Sequence, residues 1–111
     1  MLNSESYQQL LASNGIRLSA LGIRDVALAR DNALRAVALL KIDSIAILGG
    51  DVYFRRDLKI EVAYANWHCD PKRGEDRNTF SGRSWATAFK YIQDFQNPPE
   101  VEPLFALVVD R

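Results

Sequence analysis

The chain has one cysteine, one histidine, no net charge and no long apolar run, and each of these shortages narrows what it can be. With Cys69 alone an intramolecular disulfide is impossible, which suits a thiol-compatible compartment and makes the cytoplasm the expected location. Fourteen Lys and Arg balance fourteen Asp and Glu, leaving no global field to draw the protein onto nucleic acid or an anionic lipid surface. Met1 to Leu11 carries Asn3, Glu5, Gln8 and Gln9 where a signal peptide needs a basic start and an apolar centre, and no apolar stretch approaches membrane-spanning length. Neither nucleic acid nor a membrane is expected as a partner, and retention in the producing cell follows.

What remains is an ordinary globular composition, 48% hydrophobic and 25% charged, without internal repeats or low-complexity segments. A chain of 111 residues fits one domain able to bury roughly 65% of its unfolded surface, without help from disulfide or metal. Charge is unevenly placed. Asp94, Glu100, Glu102 and Asp110 face only Arg111 in the last segment, which reads as a solvated acidic end or one turned toward a basic partner.

Residues 1–30 read as a peripheral helix and an irregular segment. Ser4 to Ser13 places Tyr7, Leu10 and Leu11 at helical spacing before a left-handed stop at Asn14-Gly15, whereas Ile16 to Arg30 shows no period. Asp31 to Lys41 is expected as a helix, with Ala33, Leu34, Val37 and Leu40 in one stripe. Ile45 to Leu48 and Val52 to Phe54 read as one strand interrupted by a bulge at Gly49-Gly50-Asp51. Arg55 to Lys59 then forms a polar hairpin loop, and Ile60 to Ala65 returns with Ile60, Val62 and Tyr64 on the buried face.

Asp70 to Asn78 reads as a charged loop, after which Thr79 or Ser81 can cap a helix whose apolar arc holds Trp85, Ala88, Phe89, Ile92 and Phe95. Asn97 to Pro103 is an extended linker. Leu104 to Val109, apolar throughout, wants cover on both faces and therefore a central position in the sheet. The order predicts an α+β fold, a mainly antiparallel sheet of three to four strands covered by two to three helices.

No complete catalytic set emerges. Neighbours in an extended segment point to opposite sides, so His68 does not reach the sulfur of Cys69 as a base would need to. A zinc site would need Asp51 and Asp70 to join that pair, an uncommon ligand set, so neither metal nor cofactor is expected. Gly49-Gly50 lacks the residues of a phosphate loop, and Glu75-Asp76 between Arg73 and Arg77 reads as a mixed, solvated charge run. The candidate recognition surface is the group Asp51, Tyr53, Asn66, Trp67, His68 and Asp70, in which Trp67 either closes the core or anchors a protein interface. In the second case Trp67→Ala is expected to weaken binding by about 2 kcal/mol without unfolding the protein.

The ordered series from Asp31 onward, an Ala- and Leu-rich helix over Ala33 to Leu40, ILGGDVY at Ile47 to Tyr53, NWHCDP at Asn66 to Pro71, RSW at Arg83 to Trp85 and FALVV at Phe105 to Val109, resembles immunity protein 40, a family of bacterial polymorphic toxin systems. The resemblance covers about 80 residues and implies a small cytoplasmic protein, monomer or homodimer, that neutralises a cognate toxin domain by tight stoichiometric binding and is not an enzyme. It carries no contact residue onto this sequence. Two rival readings are a small hydrolase or transferase using Cys69 or His68, and a homo-oligomeric structural module.

Overall fold

The apolar run ending at Val109 forms the centre of a five-stranded sheet. A computed structural model describes residues 5–110. Along the chain lie α1 (Tyr7–Asn14), β1 (Ile16–Arg17), a 3-10 turn (Ser19–Leu21), β2 (Val26–Ala29), α2 (Arg30–Ile42), β3 (Ile47–Arg56), β4 (Lys59–His68), α3 (Arg77–Asp94) and β5 (Glu102–Val109). The strands are ordered β1-β2-β5-β3-β4, with each neighbouring pair antiparallel. The fold is α+β, as expected, but the sheet has five strands where three to four are predicted.

The difference lies in Ile16 to Arg30. Far from being irregular and peripheral, this segment supplies β1 and β2, and β2 pairs directly with β5 through Leu28↔Phe105 and Ala29↔Leu104. Four residues rich in alanine give β2 too little length for an alternation, and both Ala27 and Leu28 are buried because the strand is covered on both sides. The start of the expected first helix at Ser4 lies outside the described residues. Its end needs no left-handed residue, since Gly15 is extended (φ −66°, ψ 137°), and Ser6 with Gln9 forms a capping box at its start.

Two apolar layers result. On one side α1, α2 and α3 cover the sheet, joining Tyr7, Leu10, Val37, Leu40, Ala88 and Ile92 to Leu28, Val52, Trp67 and Phe105. Complete burial of one such large side chain contributes about 1.5–3 kcal/mol. On the other side the segment after β1 folds back over part of the sheet, where Leu18 and Ala27 meet Tyr53, Leu104 and Ala106. The remainder of that second face is uncovered, and it is where the candidate residues gather.

α3 begins earlier than the Thr79 or Ser81 expected. Asp76 is its cap, accepting a 2.7 Å hydrogen bond from the Thr79 N–H, which also holds its carboxyl below the usual range. Ala88 and Ile92 of the expected apolar arc are buried, Phe80 and Ser84 join them, and Phe89 stands 42% exposed. Ser84 is a buried connector: its Oγ accepts from the Ile47 N–H at 3.0 Å and donates to the Ser81 carbonyl at 2.7 Å. Trp85 Nε1 donates to the Ile45 carbonyl at 2.7 Å, fixing α3 to the start of β3.

The acidic segment lies at the surface, and its carboxylates also meet cations of the same chain. Asp94 pairs with Lys90, Glu100 with Arg56, Glu102 with Arg55 and Asp110 with Arg77, so its charge is compensated within the molecule.

Candidate functional site

β3 and β4 form a hairpin whose turn is Asp57-Leu58, shorter than the Arg55 to Lys59 loop expected. β3 is one strand, as the bulge reading requires, with its register against β5 shifting between Ile47 and Gly49. Gly49 has φ 153°, and a Cβ there would lie 2.2 Å from the Trp67 carbonyl oxygen. Gly50 sits under the Trp67 ring, its would-be Cβ 2.3 Å from Trp67 Cη2. The glycine pair thus serves close packing: it lets the indole lie flat on the sheet.

Trp67 is 6% exposed and stacks on Tyr91 of α3 at 4.6 Å between ring centroids. Tyr91 continues to Phe95, which meets Phe54 at 6.2 Å and Phe105 at 5.8 Å. Of its two readings, core closure holds; Trp67 is not beside Tyr53 and Asp51 but on the opposite, helix-covered face. The expected burial of Ile60, Val62 and Tyr64 is likewise corrected. Ala63, Ala65 and Trp67 face the helix core, Ile60 packs against the second apolar cluster, and Val62 and Tyr64 are exposed.

β4 also carries a two-residue bulge. Val62 pairs with Tyr53 and Ala65 with Val52, leaving Ala63 and Tyr64 without partners on β3. Tyr64 is left-handed at φ 57°, which for a bulky side chain costs roughly 1–2 kcal/mol.

Strand pairing gathers the remaining candidates on the uncovered face. Asp51 stands opposite Asn66 on β4 and Ala106 on β5; Gly49 stands opposite His68 and Val108. Asp51, Asn66 and His68 are exposed there, with Asp70 exposed just beyond the end of β4. Tyr53 shares their side of β3 but is only 7% exposed under the segment after β1. Its phenol is held above the usual tyrosine range by burial first, then by Asp51 and Asp25.

Cys69 turns the other way, 3% exposed between Ala46 and Phe80. Its Sγ accepts from Arg83 Nη1 at 3.2 Å rather than meeting His68. Arg83 and Glu75 are the residues that sequence reasoning passes over. The Arg83 guanidinium also binds the Asp70 carbonyl at 2.7 Å and both Glu75 carboxylate oxygens, so one side chain ties the loop after β4 to α3 and sets Asp70 in place. Glu75 is therefore not part of a solvated run: the Arg83 hydrogen bonds, then the Lys72 N–H, hold its carboxyl down to about 2. No sequence period links residues eight apart across a helix start, which is why this pair gives no signal. Among the described residues no group of three His, Cys, Asp or Glu side chains is placed to hold a metal ion.

The arrangement is a rigid two-stranded platform with polar side chains in register, braced from below by an aromatic stack. Among the described residues no helix is long and apolar enough to cross a membrane. No curated protein and no solved structure matches the chain. The family model for immunity protein 40 matches residues 17–109, taking in β2 and the last residue of β1 as well as the segments on which the resemblance rests. The chain belongs to the immunity protein 40 family.

Proposed function

We propose that this protein neutralises a cognate bacterial toxin domain by stoichiometric binding in the cytoplasm of the producing cell, within a polymorphic toxin system. Family membership supports the class. The observation that carries the mode of action is the uncovered sheet face, where paired strands hold Asp51 and His68 with Asn66 between them in fixed register. A backbone already paired needs no ordering on binding, so more of the interaction energy of the groups it carries appears as affinity. Asp51, Asn66, His68 and Asp70 are the proposed contacts, with Tyr53 beneath Asp51 and Trp67 bracing β4 from the other side.

Protection of a cell requires nearly all toxin to be bound at low concentration, hence a dissociation constant around nanomolar or below. A standard interface of about 1,600 Å² in total supplies that affinity and is within reach of a domain this size. Binding alone suffices, and no turnover is invoked.

The test is co-expression with the toxin domain encoded beside the gene, followed by calorimetric titration of the purified pair. Growth rescue with one-to-one binding near nanomolar affinity is the expected result. A well-folded protein that neither rescues growth nor binds that domain would overturn the proposal.

A further inference from the structure

Tyr64 contributes nothing to the core, yet the fold holds it in an unfavourable conformation. It lies in the interior of the outermost strand, in left-handed backbone at φ 57°, with its side chain 91% exposed. Among the described residues the other two non-glycine positions with positive φ, Ser44 and Asp57, are short polar residues in turns, where that conformation is readily tolerated. Strain kept in a large side chain that packs against nothing points to a role outside the fold.

Its surroundings indicate what it meets. Val62 and Asn66 flank it on β4, both exposed, and Asp51 lies across from Asn66. At the hairpin end the carboxylates of Glu61 and Glu102 are paired with Arg56 and Arg55, whereas Asp51 has no ion pair among the described residues. We propose that Tyr64 is the anchor by which β4 docks the toxin domain, its ring entering an apolar pocket whose rim presents a basic side chain to Asp51. This rests on the immunity reading above and deepens it by naming the anchor and the chemistry of the surface it fits.

Two features decide between modes of docking. The unpaired Ala63 and Tyr64 break the hydrogen-bonding edge of β4 in its middle, so a partner strand cannot pair along its length; recognition is through side chains. In a two-fold dimer both partners present the same patch, and Asp51, Val62, Tyr64, Asn66, His68 and Asp70 include no Lys or Arg to meet Asp51. A different protein with basic groups supplies that partner.

Calorimetric titration of the adjacent-gene toxin domain into wild type, Tyr64→Ala and Tyr64→Gly tests this, with thermal melting of each variant. The expected result is binding at least tenfold weaker for both variants, with Tyr64→Gly melting no lower than wild type because glycine accepts the left-handed backbone. Affinities within tenfold of a tightly binding wild type would overturn the anchor and leave the immunity reading standing. Absence of wild-type binding would overturn both. Sedimentation over a range of concentrations supplies the remaining outcome: a dimer abolished by Tyr64→Gly with toxin affinity retained would overturn the proposal in favour of a second copy.

Discussion

Arg83 grips Glu75 with two parallel hydrogen bonds, Nε to Oε2 at 2.9 Å and Nη2 to Oε1 at 2.7 Å, across the start of α3. The pair gives the fold an acid-sensitive joint. The Glu75 carboxyl titrates near 2 in the folded protein, below the ordinary value of 4.5, so folding favours its ionised form. The stabilisation is complete above the ordinary value and is lost as pH falls from about 4.5 toward 2. Glu75→Gln is expected to lower stability at pH 7 and to flatten the decline between those limits. Urea titrations at a series of pH values would show it, and an unchanged acid slope in the variant would count against the pair.

Trp67 and Gly50 are expected to be coupled. Trp67→Ala empties the space between β4 and Tyr91 and should cost about 3–5 kcal/mol, as aromatic truncations in cores do. That replaces the expectation, framed on an exposed indole, of weakened binding in an otherwise stable protein. Gly50→Ala drives a methyl into the indole and toward the Ala106 carbonyl, and should cost about 1–3 kcal/mol. In the double variant the second change should cost less than it does alone, the part due to the Ala106 carbonyl remaining. Additive losses in chemical denaturation would contradict this packing.

Ser84→Ala removes the acceptor for the buried Ile47 N–H and is expected to cost about 1–3 kcal/mol. Because the hydroxyl links α3 to the first residue of β3, amide exchange at Ile47 should accelerate more than at Leu107. Equal protection at both sites would show that the hydroxyl is dispensable.

Asp51→Lys probes the uncovered face without touching the core. Stability should stay within about 0.5 kcal/mol, as for other exposed positions. Binding of the toxin domain should weaken at least tenfold at low ionic strength, with a smaller loss in high salt. The readout is calorimetry at two salt concentrations; affinity that ignores the reversal would remove Asp51 from the interface.

The elements legible in the sequence are those where one physical signal dominates. α2 and α3 announce themselves through apolar arcs, and the run Leu104 to Val109 announces a central strand, covered on both faces as far as Leu107. β1 and β2 escape notice because two residues and four residues carry no period and β2 is half alanine. In β4 the alternation is legible but its sense is not. The larger residues Ile60, Val62 and Tyr64 suggest the buried side, yet small Ala63 and Ala65 take it because that core already holds Phe54, Tyr91 and Phe95. Of the candidate site, Asp51, Asn66 and His68 are brought together by register, which cross-strand pairing alone reveals. Tyr64 stays hidden because its left-handed backbone has no sequence signature in a tyrosine.

The position of β5 between β2 and β3 bears on how the protein is made. A ribosome delivers β2, β3, β4 and α3 before the strand that joins them, so the growing chain holds a finished hairpin and a two-stranded ribbon without the strand to which both hydrogen-bond. Until residues 102–109 emerge, the hairpin's inner edge and the aromatic rings above it stand open to proteases and chaperones. A chain cut short before Glu102 is expected to be degraded rather than to persist as a smaller folded unit, which pulse-chase measurement of its lifetime would reveal. The binding proposed above would then begin only when the keystone strand arrives.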